Sequence, residues 1–309
     1  MKKVKDLKWN ERITVKDLVK QMESCGFQAT ELKQAPEVII KMKKNGAKIY
    51  LTFTSNMATS GLRGLFAQII EMGLIDIVVT GVGAIEEDIM RAKGEEFVIG
   101  NFGVDDVELH EKGVNRVGNL FVTNESYCNF EDLMRPMLKK LYQEKNRWNV
   151  SDMLKKFGEE LEDENSILYQ AAKKNVPVFV PGITDGALGF HLFLFQQEKP
   201  DFVVDVINDF KKLTYYTTHD DKKGVIALGG GIAKHQALLA CILNGGMDYA
   251  VYMTTDQEFA GSMSGASTRE AKSWGKIKDD SDAATVIGDV SITFPLMMCY
   301  VLEILNEEK

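Results

Sequence analysis

The chain has 309 residues, 45% of them hydrophobic and 27% charged, with 37 Lys+Arg against 45 Asp+Glu and a formal net charge of −8. That is the balance of a soluble globular protein long enough to bury a large core. The negative charge argues against general affinity for nucleic acid, and no run of 18 apolar residues offers a membrane span.

The start, MKKVKDLKWNERIT, is basic without an apolar stretch behind it and does not read as a secretion signal. In TVKDLVKQM, Val15, Leu18, Val19 and Met22 fall on one helical stripe, with Thr14 as N-cap and Asp17 three residues on. APEVIIKMKK predicts a second helix whose first turn holds Pro36 and Glu37. An alternation then sets in. KIYLTFT (48–54) predicts a strand, Ser60 to Met72 a helix, and IDIVVTG (75–81) a strand running into glycine. Helices from about 130 to 174 form an insertion or outer layer. PVFVPG (177–182), GVIALGGG (224–231) and DYAVYMTT (248–255) are further β-rich runs ending in Gly or Thr. Such units stack into a parallel sheet. The expectation is an α/β fold: a helical arm over 1–45 and one domain over 46–309. Cys25, Cys128, Cys241 and Cys299 lie far apart, without metal-ligand spacing. They read as buried free thiols of a reducing cytoplasm, and no metal site is expected.

Ligands of parallel sheets bind at strand carboxyl ends, and four stretches there carry chemistry. TSNMATSG (54–61) puts small hydroxyls at a helix start, which suits a phosphate or merely caps the helix. TGVGAIEED (80–88) spaces Gly81 and Gly83 as half a dinucleotide fingerprint, but Glu86 stands where the third glycine belongs. Glu86 and Glu87 read either as dipole partners of a first helical turn or as ligands for a ribose hydroxyl or an ammonium. LGGGIAKHQ (228–236) offers close backbone approach before a helix, with His235 on its first turn as a neutral base or a satisfied structural histidine. The densest stretch is TTDQEFAGSMSGASTREAKSWGKIK (254–278). Its Gly/Ser-rich loop suits a segment folding over a ligand. Glu270 and Trp274, spaced i,i+4, suit an alkylammonium. Gly275 ends that helix and turns Lys276 toward a cleft, as a nucleophilic amine or as a solvated partner of the helix dipole.

These motifs, with NRVGNL and ITDGALG (183–189), run in order from about residue 48 to 295 and together resemble the deoxyhypusine synthase family, which includes the homospermidine synthases of plants. The resemblance implies a Rossmann-like parallel sheet with flanking helices. It also implies a cytoplasmic homotetramer, a dimer of dimers, with NAD as cofactor and sites shared between subunits. The activity it implies is transfer of a 4-aminobutyl group from spermidine, a polyamine, through an imine on a lysine to the hypusine-bearing translation factor. By matching position, NAD would be held by Ser55, Asn56, Thr59, Gly83, Glu87, Asp185, Gly230, Thr255, Asp256, Asp289 and Val290. Lys276 matches the covalent lysine and His235 the histidine beside the substrate. Glu86, Glu270, Trp274, Gly261 and Ser262 match the amine slot. Phe190 and Met263 stand where animal members of the family carry aspartates that contact spermidine. His191 either lines the same space or is structural. The loss of two charges leaves open another donor such as agmatine, a small-amine acceptor as in homospermidine synthesis, or a non-catalytic NAD-binding regulator.

Overall fold

The computed structural model describes residues 2–307, which form two compact units. The first comprises the residues up to Phe53, Leu74–Val79, and the residues from Leu213 onward; the second comprises Thr54–Gly73 and Thr80–Lys212. Residues 2–45 thus belong to the first unit, and residues 46–307 are divided between the two.

In the first unit, KIYLTF has large residues at consecutive rather than alternate positions, the pattern of a strand covered on both faces. It forms the central strand Lys48–Phe53, buried along nearly all its length. The strands run in the order Ile277–Ile287, Met247–Thr254, Lys223–Leu228, Lys48–Phe53, Ile77–Thr80. Phe53 pairs in parallel with Leu228, Leu228 with Met253, and Met253 with Val286, so the carboxyl ends are level. Register fixes the faces. Gly224 packs against Met42, and Tyr249, its partner, accepts a hydrogen bond on its hydroxyl from Asn45 at 2.8 Å, so this face meets the helix Phe27–Lys44. Thr52, Ala227 and Tyr252 share the opposite face, where Lys234 of the helix Gly231–Ile242 lies over the Tyr252 ring.

Helix Val15–Met22 starts at a capping box between Thr14 and Asp17. The next helix does not begin near Pro36. It runs Phe27–Lys44 with Pro36 in its interior, because Gly26 (φ 85°) and Phe27 (φ 53°) turn the chain nine residues earlier. The last helix, Val290–Glu307, is long and apolar enough to cross a membrane by length and composition, which the absence of an unbroken apolar run does not foresee. It packs on the first two helices and buries Val290, Phe294, Met297, Met298, Tyr300 and Val301. Only Cys241 of the four thiols is buried; Cys25 is half-buried, and Cys128 and Cys299 are exposed.

The second unit is mainly helical, with helices Asn124–Glu144, Val150–Glu159, Ile167–Lys174 and Ala187–Glu198. A small antiparallel sheet of Val98–Ile99, Leu120–Thr123 and Val114–Val117 was not foreseen. The helix after Thr54 begins as a short turn, Ser55–Met57, and passes through a π-helical segment, Ala58–Leu62, before Arg63–Glu71. This unit is tied by Asp88. Its carboxylate takes Arg63 Nε at 2.5 Å, Ser166 Oγ at 2.8 Å, and the amides of Ile167 and Leu168 at 3.1 and 2.8 Å, all buried.

Candidate active site

In the first unit the level strand ends carry three loops. Leu228 leads into three glycines; Gly229 (φ 73°) and Gly231 (φ 67°) adopt conformations that disfavour a side chain. Gly230 between them has φ −151° and ψ −130°, and a Cβ there would lie 2.2 Å from Ser264 Cα. The loop around Met263 therefore rests directly on the glycine turn. The helix that follows, Gly231–Ile242, has no side chain capping its first amides.

Helix Thr268–Ser273 starts at Ser267, whose Oγ accepts from the Glu270 amide, and ends in a Schellman turn. Gly275 takes φ 65°, its amide donates to Lys272 O at 2.9 Å, and the Lys276 amide donates to Ala271 O at 3.1 Å. That turn carries Lys276 inward. The residue is 6% exposed, and its Nζ sits 5.3 Å from the centre of the Trp274 ring. Lys276, Trp274, Glu270, Met263, Tyr252 and Lys234 line one cleft. His235 is half-buried; burial and the nearby Lys276 charge both lower its pKa, so the imidazole is held toward its neutral form.

The other first-unit candidates have local roles. Thr255 is exposed, and the Asp256 amide donates to Thr254 Oγ1 at 3.0 Å. Asp289 accepts from the Ser291 amide at 2.8 Å at the start of the last helix, and Val290 is buried. Gly261 (φ 65°) and exposed Ser262 open the loop, where Ser262 Oγ accepts from the Ser264 amide at 3.1 Å.

In the second unit Gly81 and Gly83 both crowd Ser55: a Cβ on them would stand 2.6 and 3.1 Å from its Oγ. The helix Val82–Ala92 starts at Gly81 without a side-chain cap. Glu86 and Glu87 do not lie in its first turn; they are in the second, and both are buried. Glu86 accepts from the Leu188 amide at 2.7 Å beside Gly186, which leaves no room there for a side chain. Burial raises its pKa, against the pull of that amide, and Asp185 adds to the rise. Thr59 Oγ1 donates to Glu87. Burial and the Glu86 charge nevertheless push the Glu87 carboxyl up to about 7. Tyr127 is near both acids, and burial together with their charges raises its pKa. Asn56 is exposed and accepts from Thr54 Oγ1 at 2.6 Å. Phe190 is 58% exposed, whereas His191 is tilted against the Phe130 ring at 5.5 Å, a packing role.

Lys234 and Tyr252 are the cleft residues that sequence reasoning misses. Lys234 is 1% exposed, donates to Ala266 O at 3.1 Å and Ser264 O at 3.4 Å, and lies 4.6 Å above the Tyr252 ring. Tyr252 Oη is buried without a hydrogen-bond partner. The only signal in the sequence is the adjacency of Lys234 to His235.

The family model described as deoxyhypusine synthase matches residues 17–301. A probable deoxyhypusine synthase of Aeropyrum pernix is 40% identical over 301 residues, covering 96% of this chain and 97% of the relative. One of Schizosaccharomyces pombe is 37% identical over 303 residues, covering 93% and 86%. The crystal structure of a putative deoxyhypusine synthase from Entamoeba histolytica superposes with a TM-score of 0.71 at 25% identity, covering 97% of each chain. This chain belongs to the deoxyhypusine synthase family.

Proposed function

We propose that this protein is a cytoplasmic, NAD-dependent aminobutyl transferase that takes a 4-aminobutyl group from spermidine and delivers it to a lysine of the hypusine-bearing translation factor, working as a homotetramer. The observation that carries the reading is the buried Lys276 amine against Trp274 in a cleft with Glu270. Two helix starts suit a dinucleotide: Val82–Ala92 and Gly231–Ile242 each follow a strand end marked by glycine, and no side chain caps their first amides. In the first unit the holding residues would be Gly230, Thr255, Asp256, Asp289 and Val290; in the second, Ser55, Asn56, Thr59, Gly83, Glu87 and Asp185. Bound NAD would supply hydride acceptance from the donor and hydride return to the product.

The chain's own residues do the rest. The Lys276 amine adds to the imine carbon of the oxidised donor. Addition to that carbon, protonated on its nitrogen as an iminium, gives an aminal; one proton then passes from Nζ to the departing nitrogen, and the C–N bond to 1,3-diaminopropane breaks as the C=Nζ double bond forms. His235, kept toward its neutral form, is suited to relay that proton. Trp274 and Glu270 hold the cationic end of the donor. The acceptor lysine then displaces Lys276 by the same exchange.

A second reading rests on Met263, an uncharged thioether in the cleft wall. It favours a donor or acceptor carrying one cation fewer at that point, such as agmatine as donor or a small amine as acceptor. Protein incubated with NAD and each donor, reduced with borohydride and mapped by peptide mass spectrometry, should carry an aminobutyl adduct on Lys276. Absence of an adduct with every donor would refute the enzymatic reading and leave an NAD-binding regulator.

A further inference from the structure

The loop from Ser262 to Ser267 has the sequence SMSGAS. Within it, a bond from the Ser264 amide to Ser262 Oγ and two from the Gly265 and Ala266 amides to Ser262 O make one tight turn. What anchors that turn to the body of the unit is Lys234. Its Nζ reaches two carbonyls of the loop, Ala266 O at 3.1 Å and Ser264 O at 3.4 Å, while its stem is buried and its charge lies over the Tyr252 ring. The same loop covers Gly230 and carries Met263 into the cleft of Lys276.

We propose that Lys234 is a positioning residue, whose ammonium pins the glycine–serine loop over Gly230 and so fixes the wall of the Lys276 cleft. The role rests on the reading of Lys276 as the nucleophile of that cleft. Two carbonyl acceptors explain why a lysine is buried here: an apolar residue would leave the loop carbonyls of Ser264 and Ala266 without the side chain that reaches them. The groups facing the ammonium are Glu270 from the helix Thr268–Ser273, Asp256 from the loop after Thr254, Lys276, and the Tyr252 ring from its strand. Burial brings the Lys234 pKa down to about 8, with Lys276 adding to the fall and Glu270 and Asp256 opposing it. A neutral amine donates more weakly than an ammonium, so the tether loosens as pH rises through that value.

The test is amide hydrogen exchange of the loop, corrected for intrinsic pH dependence, in the full-length wild type, Lys234→Arg and Lys234→Met, with NAD present. In the wild type the loop should lose protection between about pH 6 and about pH 9, by roughly ten-fold in rate, the scale of one charge-assisted hydrogen bond. Lys234→Arg stays charged and should keep protection across that range; Lys234→Met should lack it throughout. In turnover with spermidine, Lys234→Met should raise KM more than it lowers kcat, and Lys234→Arg should restore KM. Equal protection in Lys234→Met and wild type, or a pH dependence that survives in Lys234→Arg, overturns the clamp. A released loop with KM unchanged overturns its link to the cleft. If the wild type turns over no amine, the functional reading of the cleft falls, and the link to it with that reading, while the exchange data still judge the clamp.

Discussion

Replacing Glu87 with glutamine should stabilise the protein in a pH-dependent way. Glu87 is 7% exposed on the helix Val82–Ala92, beside the second buried acid Glu86. Its pKa rises from an ordinary 4.5 to about 7, because burial outweighs the Thr59 hydroxyl bond and Glu86 adds like charge, with Arg91 pulling the other way. Below pH 4.5 the folded and unfolded states both hold the proton, and the group adds no pH dependence. Between 4.5 and about 7 the folded state keeps a proton that the unfolded state has lost. Stability therefore falls as pH rises through that window and levels off above it. At about 1.4 kcal/mol per pH unit the full span is about 3 kcal/mol, an upper bound shared with Glu86, since the two acids titrate as a pair. Glutamine keeps the shape and can accept the Thr59 bond, but cannot ionise. Urea unfolding of wild type and Glu87→Gln should give nearly equal stability at about pH 4.5 and a gain of about 2–3 kcal/mol for the variant at about pH 8. Exchange of the amides of Val82–Ala92 should report the same difference locally. Parallel pH profiles for the two proteins would refute the reasoning, since Glu87 would then ionise as an exposed carboxylate does.

Gly230→Ala tests the packing of the loop, because the new Cβ meets Ser264 Cα at 2.2 Å; a loss of about 1–3 kcal/mol in thermal unfolding, with faster exchange at residues 262–267, is expected, and an unchanged loop would contradict the contact. Gly275→Ala tests backbone strain alone, since nothing lies within 4 Å of its Cβ position at φ 65°; the urea midpoint should report a cost of about 1 kcal/mol, and no cost would mean the turn relaxes. Asp88→Asn leaves Arg63 buried without its carboxylate, Asp163 at 2.7 Å remaining on the other nitrogen; chemical denaturation should show a loss of about 3–5 kcal/mol, and a loss below about 1 kcal/mol would mean that Asp163 suffices.

Four of the parallel strands are legible because each is buried along most of its length and so needs consecutive β-formers, as in KIYLTF and GVIAL, before the glycine or threonine that ends it; the edge strand Ile277–Ile287, partly exposed, has no such run and escapes the sequence reading. The capping box at Thr14 is legible because all its partners lie within four residues. Pro36 misleads for a related reason. A proline beside a glutamate is the mark of a first helical turn, but the start of the helix is decided by positive φ at Gly26 and Phe27, and a phenylalanine does not announce left-handed backbone. The division into two units leaves no mark either, since the chain passes between them at 53/54, 73/74, 79/80 and 212/213 without a Pro- or Ser-rich linker. The strands of the small antiparallel sheet, two to four residues long, are too short to show an alternation.

The candidate site divides along the same line. Lys276, Trp274, Glu270 and Gly275 lie within seven residues, so helix geometry and one glycine place them together, and the sequence alone brings them to one cleft. Lys234 joins them through backbone carbonyls of a loop thirty residues away, and a carbonyl is offered by every residue type. No pairing of residue identities can announce such a contact. A cleft wall built this way tolerates changes in loop side chains, Met263 among them, as long as the lysine and the carbonyl positions hold.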